Sequence, residues 1–145
     1  MKPIGYWLNR TDQALTASMD AALAEFGLTR LGWQILNVVK DDPRATDTAV
    51  LTALAAGADS AAPTAAVASV LAGGWVTRPR PDHLALTDDG RARLAEVARR
   101  VADFRELSAK GITREEYVTA VTVLERMTRN LTEPREGSAG SAARP

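Results

Sequence analysis

The chain has 145 residues, 46% of them hydrophobic, which is the length of one domain with enough apolar side chain for a real core. Eighteen Lys plus Arg balance eighteen Asp plus Glu, so no whole-molecule field draws it to nucleic acid or to an anionic membrane, and any such partner must meet a local patch. With no Cys and a single His, disulfides, thiolate metal sites and His-rich metal clusters are excluded, and no cofactor is expected.

In residues 3–26 the large apolar side chains Ile4, Leu8, Leu15, Met19, Leu23 and Phe26 keep one helical stripe. They predict a long helix with Pro3 in its first turn and Gly27 just past its end. Thr29 can cap a second helix reaching about Lys40 that buries Trp33, Leu36 and Val39, and Asp41-Asp42-Pro43 closes it. Residues 45–72 include twelve Ala among 28 positions, so little area is buried per side chain; Gly57 interrupts two short helices, 46–56 and 63–72. After Gly73-Gly74 the pattern becomes strand-like. Trp75-Val76-Thr77-Arg78 and His83-Leu84-Ala85-Leu86-Thr87 flank Arg78-Pro79-Arg80-Pro81-Asp82 and predict a small hairpin.

Thr87 before Asp88-Asp89 reads as the capped start of a further helix, along which Leu94, Val97, Val101 and Phe104 follow a near-heptad spacing up to Gly111. Thr113-Arg114-Glu115-Glu116 is a capping box, and the last helix carries Tyr117, Val121, Leu124 and Leu131 along one side. Residues 133–145, rich in Gly, Ser, Ala and Pro, should form a disordered tail. No apolar run approaches the roughly 18 residues of a membrane helix, and Met1 to Arg10 lacks the order of a secretory signal. A cytoplasmic protein without a membrane partner is expected.

Two short helices followed by a hairpin are the winged variant of helix-turn-helix, in which the second short helix enters the major groove and the hairpin touches the backbone. The fold class expected is mainly α: a winged helix-turn-helix with a two-stranded wing and a helical dimerisation region from the N- and C-terminal helices. Residues 1–132 form the single domain, with the head at about 44–90 and the dimerisation helices at about 3–26 and 88–131. The stripes of the first and last helices exceed what one chain's core can cover, which predicts a homodimer.

That order, with Gly27-Leu28-Thr29 before Trp33, Gly74-Trp75-Val76 before the hairpin and Leu86-Thr87-Asp88-Asp89-Gly90-Arg91 after it, resembles the MarR family of bacterial winged-helix transcriptional regulators, over roughly Ile4 to Leu131. The resemblance implies a homodimeric repressor that binds a near-palindromic double-stranded DNA operator and releases it when a small phenolic or other lipophilic effector binds. It places 62–70 on the recognition helix, with Thr64 at a polar contact position and Ala65 and Ser69 where related sequences carry Arg. The wing is shorter than the family's, with Arg78 and Arg80 its only cations.

The candidate DNA contacts are thus Thr64, Ala65, Ser69, Arg78, Arg80 and His83. A hydroxyl can meet base edges or phosphates, and a guanidinium can meet a phosphate or the minor groove. Pro79 and Pro81 would stiffen the turn. Against this, Thr64 and Ser69 could be an ordinary solvated face, and His83 a strand-end surface residue. From 44 to 93, Arg44, Arg78, Arg80, Arg91 and Arg93 are cancelled by Asp47, Asp59, Asp82, Asp88 and Asp89. A dimeric small-molecule-binding or protein-interaction module of the same fold is therefore the alternative. For the effector, the resemblance implies a pocket where the first, second and fifth helices converge, and there Trp7, Arg10, Thr11, Trp33 and Asn37 could form an apolar wall with a few polar groups, although each could also be core. Asp41-Asp42, Asp88-Asp89 and Glu115-Glu116 all lie at helix boundaries, where dipoles and caps account for them. With no nucleophile set and no phosphate-binding loop, the chain does not read as an enzyme.

Overall fold

In the computed structural model, which describes residues 1–54 and 61–134, the elements run α1 (Ile4–Ala24), α2 (Arg30–Asp41), α3 (Asp47–Leu54), α4 (Ala61–Ala72), β1 (Val76–Thr77), β2 (Ala85–Leu86), α5 (Asp88–Ser108) and α6 (Arg114–Thr132). The chain divides into two compact units, Met1–Ser108 and Ala109–Pro145.

Within the first unit, two helix ends share one device. At the end of α1 the Leu28 N–H donates to the Leu23 carbonyl and the Gly27 N–H to that of Ala24, each at 3.0 Å. At the end of α4 the Trp75 N–H donates to Val70 and the Gly74 N–H to Leu71, each at 3.1 Å. Both are Schellman turns, which require a left-handed residue at the reversal; Gly27 (φ 70°) and Gly74 (φ 76°) supply it without a Cβ penalty. Each turn also drops an apolar residue, Leu28 or Trp75, back into the core.

Helix α2 is the hub. Thr29 caps it by accepting from the Gly32 N–H at 3.1 Å, and its Ile35, Leu36 and Val39 are buried. They pack with Leu23 of α1, Val50 of α3, Val67 and Val70 of α4, Leu84 of the wing and Leu94, Val97 and Val101 of α5 in one cluster. Helix α4 begins at Ala61, two residues before the expected start, because a proline is tolerated anywhere in a first turn whose N–H groups lack partners. The predicted end of α3 and the loop after it lie in residues 55–60, outside the described residues, as do residues 135–145 of the expected tail.

The strands are shorter than predicted. Val76 pairs with Leu86 and Thr77 with Ala85, antiparallel. The second wing strand is held from its other side: Leu84 N–H donates to the Ala45 carbonyl at 2.9 Å and Asp47 N–H to that of Asp82 at 3.1 Å, around a Thr46–His83 bridge. The wing is thus moored to the entrance of α3. Arg80-Pro81-Asp82-His83 turns on a His83 N–H to Arg80 carbonyl bond of 3.1 Å, with Pro81 at the second position and Asp82 left-handed at the third (φ 63°).

Thr87 joins the wing to α5. Its Oγ1 accepts from the Gly90 N–H at 2.8 Å, capping the helix, and donates to the Gly74 carbonyl at 2.7 Å. Gly90 is needed for this approach: a Cβ there would lie 2.0 Å from the Trp75 carbonyl oxygen.

In the second unit, Thr113 accepts from the Glu116 N–H at 3.1 Å and Glu116 Oε1 accepts from the Thr113 N–H at 3.2 Å, the capping box expected from sequence. Helix α6 buries no residue, and Tyr117, Val118, Val121, Val123 and Leu131 are exposed.

Candidate nucleic-acid interface and helical groove

On α4, Val67 and Val70 are buried while Thr64, Ala65, Ala68 and Ser69 are exposed. At 100° per residue these four lie within one arc opposite the two valines. The sequence-predicted Thr64, Ala65 and Ser69 therefore share a face, and it carries hydroxyls and methyls; residues 61–72 include no charged side chain.

The cations come from the wing and from the start of α5, and their surroundings differ. Arg78 donates from both terminal nitrogens to both oxygens of Asp47, at 2.7 and 2.9 Å. This fork is the strongest geometry available to the pair. It holds the Asp47 carboxyl below its ordinary range, through the Arg78 hydrogen bonds first and despite some burial, and pushes the Arg78 guanidinium up. The sequence reading set Arg78 toward DNA; the fold hands it to an acid 31 positions earlier. Arg93 lies over the Trp75 ring at 3.8 Å, donates to the Gly73 carbonyl at 3.2 Å and approaches Asp89 at 3.6 Å. Arg80 is exposed at the wing tip, and among the described residues neither it nor Arg44 nor Arg91 forms a salt bridge. His83 is half-buried, its Nδ1 3.0 Å from the Pro81 carbonyl oxygen. A proton on Nδ1 closes that bond and ties the ring to the turn. Asp47, Thr64 and Arg78 share a depression of about 170 Å³ where α3, α4 and β1 meet.

A second concavity runs between α1 and α5. Trp7, Arg10, Thr11 and Leu15 line one wall and Phe104 and Leu107 the other, around about 420 Å³. Trp7 is 55% exposed, with its ring edge-on to Tyr6 at 5.1 Å. Three of the five expected effector residues are thus together. The other two do not line it: Trp33 is half-buried against the main core, and the Asn37 Nδ2 donates to the Trp33 carbonyl at 3.0 Å. Both belong to α2, which turns its faces to α1, α3, α4 and β2, so neither lines this groove.

Sequence reasoning missed Asp47 as a partner, Arg93 as the cover of Trp75, and Phe104 and Leu107 as the far wall of the groove. Asp47 follows Thr46, whose Oγ1 caps α3 by accepting from the Ala49 N–H at 3.1 Å, so a helix-start explanation for the acid was already sufficient. The one available signal was Leu107, a large apolar residue beyond the Leu94–Phe104 stripe.

A hub helix, two short helices and a moored hairpin, flanked by long helices, define a winged helix-turn-helix protein. No protein-family model and no curated protein matches the sequence. Among solved structures, the transcriptional repressor CouR bound to p-coumaroyl-CoA is similar at 25% identity and TM-score 0.69, over 88% of this chain and 91% of that one. A Mycobacterium tuberculosis MarR-family protein in complex with DNA is 24% identical, with TM-score 0.68, 88% of this chain and 98% of that one covered. Reduced MarR from E. coli is 20% identical, with TM-score 0.68, over 88% and 94%. The chain has the winged-helix fold of the MarR regulators.

Proposed function

We propose that this chain is a ligand-responsive transcriptional regulator, a repressor that acts as a homodimer on a near-palindromic operator. The observation that carries the reading is the exposed face of α4 beside a wing ending in Arg80, in a fold whose likenesses include a DNA complex and a ligand-bound repressor. Residues 1–132 act as one regulator, with the head at about 44–90. Helix α4 lies in the major groove, where Thr64, Ala65 and Ser69 meet base edges. Methyl groups and hydroxyls there favour thymine methyls and adaptable polar contacts over the bidentate reading of guanine by Arg. Arg80 and His83 meet the backbone from the wing.

Each unit leaves apolar side chains uncovered: Ile4 and Leu8 on α1, and Tyr117, Val121 and Leu131 on α6. A second copy covers them, and the two-fold so created sets half-sites about one helical turn apart. The groove of Trp7, Arg10 and Phe104 takes the effector. Its volume is in the range of small-molecule sites, and aromatic walls with one guanidinium suit a phenolic or aromatic acid. Release of DNA requires the effector to favour the spacing of the two heads that does not fit the duplex.

The uncharged α4 favours a second reading, a module of this fold that binds small molecules or protein and no longer DNA. Selection of duplexes from a random pool, followed by anisotropy titration at several salt concentrations, separates the two. A regulator enriches a two-fold-related sequence and weakens steeply with salt; a module enriches nothing.

A further inference from the structure

We infer that Asp47 is a built-in attenuator of duplex binding, its carboxylate occupying the Arg78 fork at the point where α3, α4 and the wing converge. The inference rests on the regulator reading and adds to it a residue that sets how tightly, and with what salt dependence, the head holds DNA.

Placement is the first argument. Arg78 directly follows β1, Asp47 opens α3, and both border the depression that Thr64 of α4 also lines. In a helix-turn-helix head the first helix crosses the phosphate backbone while the second lies in the groove, so this junction faces a strand of the duplex.

Geometry is the second. Both carboxylate oxygens are used by the two terminal guanidinium nitrogens, at 2.7 and 2.9 Å. A phosphate presents the same paired acceptors, and Arg is the side chain suited to either. The two anions therefore compete for one fork.

Third, the fold does not depend on the pair. The entrance of α3 is already capped by Thr46, and the wing is already moored by the Leu84–Ala45 and Asp47–Asp82 backbone bonds. Arg78 and Asp47 keep side-chain exposures of 38% and 29%, the setting in which ion pairs contribute little to stability. Where α4 offers no charge at all, neutralising one of the wing's two cations has a large effect on affinity. Asp82, in the wing turn, adds a second carboxylate to the field at Arg78.

The test compares the full chain with Asp47→Asn, Asp47→Ser, Arg78→Ala, the Asp47→Asn/Arg78→Ala double variant and Arg80→Ala, on the duplex best enriched from a random pool. Thermal unfolding confirms that each is folded. Asp47→Asn and Asp47→Ser are expected to bind about five- to tenfold tighter at ~0.1 M salt, with the slope of log affinity against log salt steeper by about 0.9, one added phosphate contact. Arg78→Ala leaves the carboxylate facing the duplex and binds more weakly than the parent. The double variant returns close to it. Binding by Asp47→Asn where the parent shows none supports the attenuator in its strongest form. If the parent binds, Arg80→Ala flattens its slope, and folded Asp47→Asn and Asp47→Ser leave affinity and slope unchanged, the attenuator is overturned and the regulator reading stands. If neither the parent nor the Asp47 variants bind any duplex, both are overturned.

Discussion

Two tryptophans separate the reading head from the helical arm. Trp75 is 3% exposed and Trp7 is 55% exposed. Trp75 sits at the end of a Schellman turn, with its carbonyl oxygen against Gly90 and its ring under Arg93; every side of it is met by its own chain. Trp7 has Tyr6 beside it and an open groove before it. The head completes itself, small as its side chains are, by backbone hydrogen bonds and close approach. The arm leaves its large aromatic and aliphatic groups uncovered by its own chain.

Substitutions can break this contrast, and the largest effect belongs to the head. In Gly90→Ala the new Cβ meets backbone rather than a movable side chain, at 2.0 Å. The variant should lose about 3 kcal/mol or more in urea unfolding, since a packed backbone cannot give way as a side chain can. Thr87→Ala comes next. It removes the cap on Gly90 and the bond to the Gly74 carbonyl, and should cost about 1–2 kcal/mol by the same measurement. On the arm the expected pattern reverses: Trp7→Ala should leave unfolding of the ligand-free protein within about 0.5 kcal/mol. It should nevertheless weaken binding of an aromatic acid about tenfold or more in calorimetric titration, a loss typical of an aromatic wall. A Trp7→Ala protein as destabilised as Gly90→Ala would erase the distinction.

The smallest effect sharpens it. The fork with Arg78 holds the Asp47 carboxyl below the ordinary carboxylate range. A lowered folded-state value means that the pair's contribution is present above the unfolded carboxyl range and is lost only as pH falls through the folded value. Between about pH 5 and 8 the Asp47 carboxylate stays charged, so the ratio of duplex affinities for Asp47→Asn and the parent should be flat there. A ratio that collapses toward one by pH 5 would show the carboxylate titrating within that window.

How far the sequence discloses this molecule depends on the reach of each interaction. Thr29, Thr87 and the Thr113–Glu116 box cap helices over three residues, and Gly27 and Gly74 end them where a left-handed residue is needed; such features are written locally. The mooring of the wing on residues 45–47 joins segments too short to show a strand period. The Asp47–Arg78 fork joins residues 31 apart, and nothing near either names the other. The site was legible in the same measure. Thr64, Ala65 and Ser69 are implied by the family resemblance and share an exposed face of α4, whereas Trp33 and Asn37 join Trp7 only through the family's pocket at the meeting of the first, second and fifth helices, and the sequence does not say which neighbour each side chain there meets.

The double role of the Thr87 hydroxyl makes α5 a lever. With 21 residues, the helix is about 30 Å long. Phe104 near one end forms a wall of the groove, and at the other end Thr87 rivets the helix to the tail of α4. If the proposed effector wedges beside Phe104 and tilts the helix by a few degrees, the riveted end would move by roughly an ångström or two over that length, and the tail of α4 would be carried with it.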